Sequence, residues 1–295
     1  MQRHLHLLVA VLVALSLAAG WAPARAAADD PATTPAKATV DSLLLAILDA
    51  DDNTRLDAIA ALGRSGDPRA LAPLTAIMDS RGRPGQDRMT AAAALGDLGD
   101  RRAVEPLIAA LRDDMTRRTG IMMAIIPSLG VLGDRRAVPI LLDALTRRQD
   151  DWLAREAAAR ALGMIGDRRA VPHLLNAAWM ADTRGDAVIA LARMADPRAL
   201  EVFLSALQFD EEPDVRDAAA RGLVDLGPVA VPPLVDIAAR SGGEGYDRGL
   251  RLRAIEVLGT IGGADARRTL EQAARDPDPT VALAARTALR RAAGD

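Results

Sequence analysis

Apolar residues recur along this chain at helical spacing and in register. Take the seven positions that hold Arg55, Arg88, Met122, Arg155, Arg184, Arg216 and Arg251. Three places on stand Ala58, Ala91, Ile125, Ala158, Ala187, Ala219 and Ala254. Seven places on stand Leu62, Leu95, Leu129, Leu162, Leu191, Leu223 and Leu258, leucine every time. These offsets share one face of a helix, so each segment predicts a helix with a small-then-large apolar stripe. Alanine in the stripe lets a neighbouring backbone approach, and leucine fills the space beyond.

Each stripe ends at a punctuation mark. Gly66-Asp67-Pro68-Arg69, Gly99-Asp100-Arg101-Arg102, Gly133-Asp134-Arg135-Arg136 and Gly166-Asp167-Arg168-Arg169 are close copies, and Ala195-Asp196-Pro197-Arg198, Gly227-Pro228 and Gly262-Gly263-Ala264-Asp265 are blurred ones. Glycine suits the left-handed position after a helix. Aspartate suits the cap of the next helix, where it accepts a bond from an orphan backbone N–H. A second apolar series comes after the mark at Leu74, Leu107, Leu141, Leu174, Phe203 and Leu270, with Leu234 one place early, and Pro73, Pro106, Pro139, Pro172, Pro232 and Pro233 lie in or near the first turn, where a missing N–H is harmless. The marks are 33, 34, 33, 29, 32 and 35 residues apart. That period predicts an all-α solenoid, a superhelical array of about seven to eight helix pairs in which layers touch only their neighbours. One helix at 40–50 enters the array, seven pairs succeed it, and a helix at 281–292 closes it. The expected domain is a single one over 39–295.

Two units depart from the pattern. In the third, Met122 replaces the arginine and Pro127 falls inside the first helix, which predicts a kink. Between the sixth and seventh, residues 240–249 form a glycine-rich insertion that carries Tyr246, the only tyrosine. A smaller insertion occupies residues 80–87.

The recurring string Arg-x-x-Ala-x-x-x-Leu-Gly-x-Leu-Gly-Asp-x-Arg-Ala-Val-x-x-Leu, best kept from Arg88 to Leu107 and from Arg155 to Leu174, resembles HEAT repeats, specifically the short HEAT-like type of bacterial proteins and phycobilisome lyases. The resemblance covers residues 40–292. It implies the solenoid fold, with second helices lining a concave side. For function it is weak, because that fold hosts scaffolds, ligases and a few enzymes.

Composition adds a leader and a charge. Aromatic residues are only 2%, which fits closely packed helices better than a sheet core. Residues 1–26 combine Arg3, an apolar run and Ala24-Arg25-Ala26, which predicts a cleaved secretory signal peptide. The apolar run is short for a membrane span, and no cysteine comes after it for a lipid anchor. Residues 27–38 read as a disordered tether. The chain is therefore expected to be exported, periplasmic or secreted, with no membrane span after cleavage. Without Arg3 and Arg25 the chain keeps 35 of its 37 basic residues against 40 acidic ones, a net charge of −5. That disfavours a nucleic-acid partner. Cysteine is absent, so export would bring no disulfides.

Chemistry is sparse. His173 is the only histidine after the leader, so no His/Cys ligand set for a transition metal assembles. The His-Glu pairs of the iron-dependent HEAT-like hydroxylases, phosphate loops, dinucleotide fingerprints and nucleophile elbows are missing too. No catalytic residue, metal or cofactor is expected, and His173 reads as a satisfied surface or interhelix side chain. Arg69, Arg102, Arg136, Arg169 and Arg198 recur in the first turn of five second helices, where a cation opposes the helix dipole. An Asp–Arg ladder between neighbouring units is the expected compensation, a cationic stripe for an acidic partner the alternative. Trp179 sits where other units have Asp79, Arg112, Thr146, Gln208 and Arg275, which leaves two readings, an exposed anchor of the kind enriched at binding hot spots or a ring packed under the turn from Met180 to Thr183. The expected site is a groove of second helices that buries a segment of another protein against Trp179, Asn176, Met180, Asp143, Arg136 and Arg169, with Tyr246 on a secondary binding loop. The functional expectation is an exported, non-catalytic scaffold or assembly factor. The alternative, implied by the resemblance, is a lyase or chaperone-ligase acting on a bound small molecule.

Overall fold

The computed structural model describes residues 39–49, 51–147, 152–240 and 247–293. The expected signal peptide, the tether and Tyr246 lie outside them. Among the described residues there are sixteen α-helices and no strand. Helix α1 (Val40–Ala46) enters alone. Seven pairs come next: α2 (Asp52–Arg64) with α3 (Leu71–Asp79), α4 (Gly85–Leu98) with α5 (Val104–Arg117), α6 (Met122–Leu132) with α7 (Val138–Thr146), α8 (Trp152–Ile165) with α9 (Val171–Ala177), α10 (Arg184–Met194) with α11 (Leu200–Phe209), α12 (Pro213–Leu226) with α13 (Val231–Ala239), and α14 (Arg248–Ile261) with α15 (Ala264–Ala273). Helix α16 (Pro279–Ala293) closes the array. The apolar run Pro213–Ala239 is long enough to cross a membrane, but Gly227, at φ 59°, breaks it into α12 and α13.

The hinges from Gly66 to Ala195 are built as the sequence predicts, whereas Gly227 and Gly262 hold other backbone conformations and no side chain caps α13 or α15. Gly99, at φ 70°, ends α4 in the left-handed region, and Ala195 holds the same conformation at φ 46° without glycine's freedom. The aspartate next in the chain caps the second helix. Asp100 accepts the Arg102 backbone N–H at 2.9 Å, and Asp67, Asp134, Asp167 and Asp196 do the same for Arg69, Arg136, Arg169 and Arg198. One turn of 3-10 helix, such as Arg101–Ala103, precedes each of these α-helices.

The first helices stack directly on one another, α2 on α4 and so on to α16. Every stripe leucine is fully buried, and the stripe alanines are at most 4% exposed. A second glycine, one place after the stripe leucine, sets the spacing. A Cβ on Gly63, Gly96, Gly130, Gly163 or Gly259 would come within 2.5–2.9 Å of Ala94, Ser128, Ala161, Ala190 or Ala288 on the next first helix. Only a hydrogen fits. Ser128 adds a buried bond, its hydroxyl donating to the Ala92 carbonyl at 2.9 Å. Two junctions differ. At α10–α12 the glycine has changed sides: Ala192 holds the usual glycine position, while Gly222 makes room for the larger Phe203, whose ring would be 2.7 Å from a Cβ there. At α12–α14 there is none, and Val224 and Val257 occupy the two register positions. These helices pack more loosely than any other adjacent pair of first helices.

An ionic ladder runs between layers, but on the other arginine series. The first-helix arginines reach back to carbonyls at the end of the preceding second helix. Arg88 donates to Met78 at 2.8 Å, Arg184 to Ala178 at 3.1 Å, Arg216 to Asp210 at 2.7 Å and Arg251 to Ala238 at 2.7 Å. Several also pair with an aspartate that opens the next unit: Arg55 with Asp87 at 2.7 Å, Arg155 with Asp182, Arg184 with Asp210 at 3.0 Å and Arg251 with Asp276 at 2.5 Å. The hinge arginines, expected to form the ladder, instead fold onto the aspartate two residues before them. Arg102 reaches Asp100 at 2.6 Å and Arg136 reaches Asp134 at 2.9 Å. That carboxylate already faces the helix start, so a residue two places on needs no longer reach. Links to the layer before are secondary, as in Arg136 to Glu105 at 3.2 Å. Where Met122 interrupts the series, buried Asp114 takes over, accepting the Met122 and Thr119 backbone N–H groups at 3.0 and 2.9 Å. Helix α6 runs unbroken through Pro127.

A candidate small-molecule site at the shortened fourth unit

The interval of 29 residues between Gly166 and Ala195 is four short of the one before it and three short of the one after, about one helical turn. Part of the loss falls on α9, which has seven residues where α3, α7 and α13 have nine, and the rest on its connection to α10. Past its end the chain knots tightly. Buried Thr183 donates its hydroxyl to the Ala177 carbonyl at 2.8 Å, and Thr183 N–H reaches Met180 at 3.3 Å. The knot turns Trp179 and Met180 outward, 59% and 43% exposed. The Arg184 guanidinium lies 5.9 Å over the Trp179 ring, a cation–π contact that keeps the indole presented.

The missing turn leaves a cavity of ≈ 620 Å³. Leu145 and Thr146 close it from α7, and His173, Asn176 and Ala177 from α9. His173 and Asn176 are three apart and share one helix face. Met180 and the Arg155–Asp182 pair complete the wall. Arg155 also donates to the Arg147 carbonyl at 3.3 Å, so its guanidinium is held from two sides. The cavity thus combines an oriented cation, an imidazole, amide and hydroxyl groups, and an apolar wall. A few polar groups set against an apolar wall are the usual make-up of a small-molecule site.

The structure brings Asn176 and Met180 together and sets Trp179 beside them. Asp143 is exposed on α7, 3.8 Å from Arg147, and is not among the cavity residues. Arg136 and Arg169 lie at the hinge edge, at the opposite end of the second helices, where they hold Asp134 and Asp167 and push both carboxyls down to about 2. Trp152, the first residue of α8, is half exposed. His173, Arg155, Asp182 and Thr146 were missed as site residues. The signal that points to them is the interval of 29. Next to Arg155 on α8, Glu156 stands apart from the cavity. Burial, then the Asp186 charge, pushes its carboxyl up to about 7 against the pull of Arg160. Arg160 itself bridges to Asp186 on α10 at 3.0 Å. Among the described residues no group of three or more His, Asp or Glu side chains could hold a metal ion.

Comparison with known proteins places this architecture. The family profile for HEAT repeats matches residues 42–126, 80–152, 121–184 and 180–248. Over 105 residues the chain is 35% identical to phycocyanobilin lyase subunit beta of Thermosynechococcus vestitus, a match that spans 35% of this chain and 46% of that relative. Among solved structures, Kap95p bound to RanGDP has a TM-score of 0.54 at 15% identity, over 86% of this chain and 41% of that one. The Escherichia coli protein YibA has a TM-score of 0.53 at 18% identity, over 86% and 93%. Both structural likenesses concern the fold. The lyase likeness bears out the expected resemblance and corrects the expectation of a non-catalytic chain, since a relative of this kind is a subunit of an enzyme. The physical reason for the error is that a site assembled from the faces of several short helices leaves no local catalytic motif. The chain belongs to the HEAT-repeat family.

Proposed function

We propose that this protein is lyase-like: it holds a small molecule with an acidic group in the α7–α9 cavity while a protein partner docks at the exposed Trp179 edge. The observation that carries the reading is the cavity at the missing turn, where His173, Asn176 and the Arg155–Asp182 pair converge. A lyase adds or eliminates a group across a double bond, and a proton must be supplied or taken up. His173 is suited to that transfer, since imidazole serves as either acid or base. Arg155, kept in place by Asp182, would hold the acidic group. Asn176 and Thr146 would orient the molecule, and Leu145 and Met180 would shield it from water. In the partner-facing role, Trp179 offers a rigid ring already stacked on Arg184. The leader composition adds export, which N-terminal sequencing of secreted material tests.

Titrating the purified chain with phycocyanobilin, the molecule in the relative's name, and following its absorbance tests the reading. Saturable binding is expected, abolished by Asn176→Trp, which fills the cavity, and kept by His173→Gln. Absence of saturable binding to the unaltered protein would overturn the small-molecule reading.

A further inference from the structure

We infer that copies of this chain associate edge to edge, the hinge edge of one seating the end of α11 and the start of α12 of the next. Two departures from the repeat coincide at the hinge edge. First, units two to four open their second helices with Asp-Arg-Arg, where units one and five have Pro68 and Pro197 before the last arginine. Arg101, Arg135 and Arg168 are therefore additional to the Asp–Arg clamps. All three are exposed, and Arg135 approaches Asp167 only to 3.9 Å. Second, Val131 and Met164 stand two residues before the hinge, both exposed, where other units have Arg64, Asp97, Arg193, Asp225 and Thr260. The two side chains adjoin. The Met164 sulfur crosses the α6–α8 seam to 3.4 Å from the Cβ position of Gly130, the residue before Val131. The arginines step between layers too, Arg136 donating to the Arg101 carbonyl at 3.2 Å and Arg169 to the Arg135 carbonyl at 3.3 Å. The clamp carboxylates lie underneath, Asp167 at 10% exposure against 60% for Arg169. The edge thus presents guanidinium groups around a small apolar centre, which suits an acidic partner with an apolar side chain.

The far edge of the same chain carries that chemistry. Phe209, the last residue of α11, is exposed, and so are Glu211, Glu212 and Asp214 after it. Here the order of charge is reversed. Arg184 and Arg216 are partly buried, the first paired with Asp210 at 3.0 Å and the second donating to the Asp210 and Glu211 carbonyls at 2.7 and 2.9 Å. The three carboxylates are outermost, and among the described residues none of them is held in an ion pair. This segment offers one large ring and three carboxylates to an edge with two apolar side chains and surplus arginines. Glu105, 3.2 Å from Arg136, and exposed Asp97 offset the charge at the unit-two end of the hinge edge, so the seat centres on units three and four. The two surfaces differ, so the contact is heterologous and repeats from copy to copy. It involves no residue of the α7–α9 cavity.

Sedimentation velocity of the full chain tests the assignment. Up to ~100 µM protein at low salt, the mass is expected to grow with concentration, and to return to that of the monomer in ~0.5 M NaCl. Arg135→Glu with Arg168→Glu, or Glu211→Lys with Glu212→Lys, is expected to keep Tm and to weaken association roughly tenfold or more. Mixed one to one, the two double variants are expected to associate again, since each keeps the edge that the other has lost. Should one of them fail to fold, the other decides. A parent that stays monomeric at ~100 µM, a folded variant that associates like the parent, or a mixture no more associated than its parts would each overturn the assignment. A monomeric parent that instead sediments with vesicles of anionic phospholipid would overturn it in favour of a membrane surface.

Discussion

Gly163 shows how much of this fold turns on single atoms. A Cβ there would sit 2.5 Å from the Ala190 Cβ, so Gly163→Ala must push two backbones apart. A loss of about 1–3 kcal/mol is expected, read by thermal or urea denaturation. Gly82, with nothing within 4 Å of its Cβ position, should tolerate alanine with little change. The arginines divide in the same way. Arg251 and Asp276 are 5% and 8% exposed, and Arg251→Met strands a buried carboxylate at a cost of about 3–5 kcal/mol. Arg136→Met breaks a half-exposed clamp and should lower stability by less than about 1 kcal/mol. Both arginine series and the hinge glycines were legible in the sequence as recurrences. What each recurrence does was not. A repeated Asp-x-Arg and a repeated Arg on the first helix look alike as charge patterns, and only their distance from the neighbouring layer separates a local clamp from a rung.

At the scale of helix pairs, the α10–α12 junction offers a test of compensation. Phe203 stands where other second helices have leucine, and Gly222 yields the space. Gly222→Ala alone should destabilise, and Phe203→Leu alone should leave a void. The two together should recover part of the loss, a non-additivity that a double-mutant cycle measures. The α8–α10 seam should respond to pH. Glu156 has a folded pKa pushed up to about 7, above its ordinary value of 4.5. Its neutral form therefore supports folding below pH 4.5, and that support is lost as pH rises through 7. Glu156→Gln should match the parent near pH 4.5 and melt higher at pH 8. Asp134 and Asp167 run the other way: held near 2, they stabilise above pH 4 and cease to do so as pH falls toward 2. Helix boundaries and pairing were readable from the period of the chain. The α7–α9 cavity was readable only as an irregular interval, because it arises from a turn that is missing, and a missing turn leaves no residue to notice. Exposure was one of two readings of Trp179, the one its polar register equivalents suggested.

Taken whole, the described residues from 39 to 293 form a stack in which each layer leans on the ones beside it, so order should fall toward the ends. Hydrogen exchange read out by mass spectrometry should find the slowest amides in α6 and α8 and the fastest in α1, which has no buried residue of its own. Protection in α1 equal to that in α8 would contradict a nearest-neighbour stack. The α12–α14 seam has a mechanical meaning as well. Layers joined in series carry the same tension, so an extended stack yields first at its shallowest interlock. Elsewhere a backbone must climb out of a glycine notch; between Val224 and Val257 two smooth side chains slide. Pulled from its ends, this protein should part there, with α1–α13 on one side and α14–α16 on the other still folded, and the rupture would act as a fuse that spares both halves.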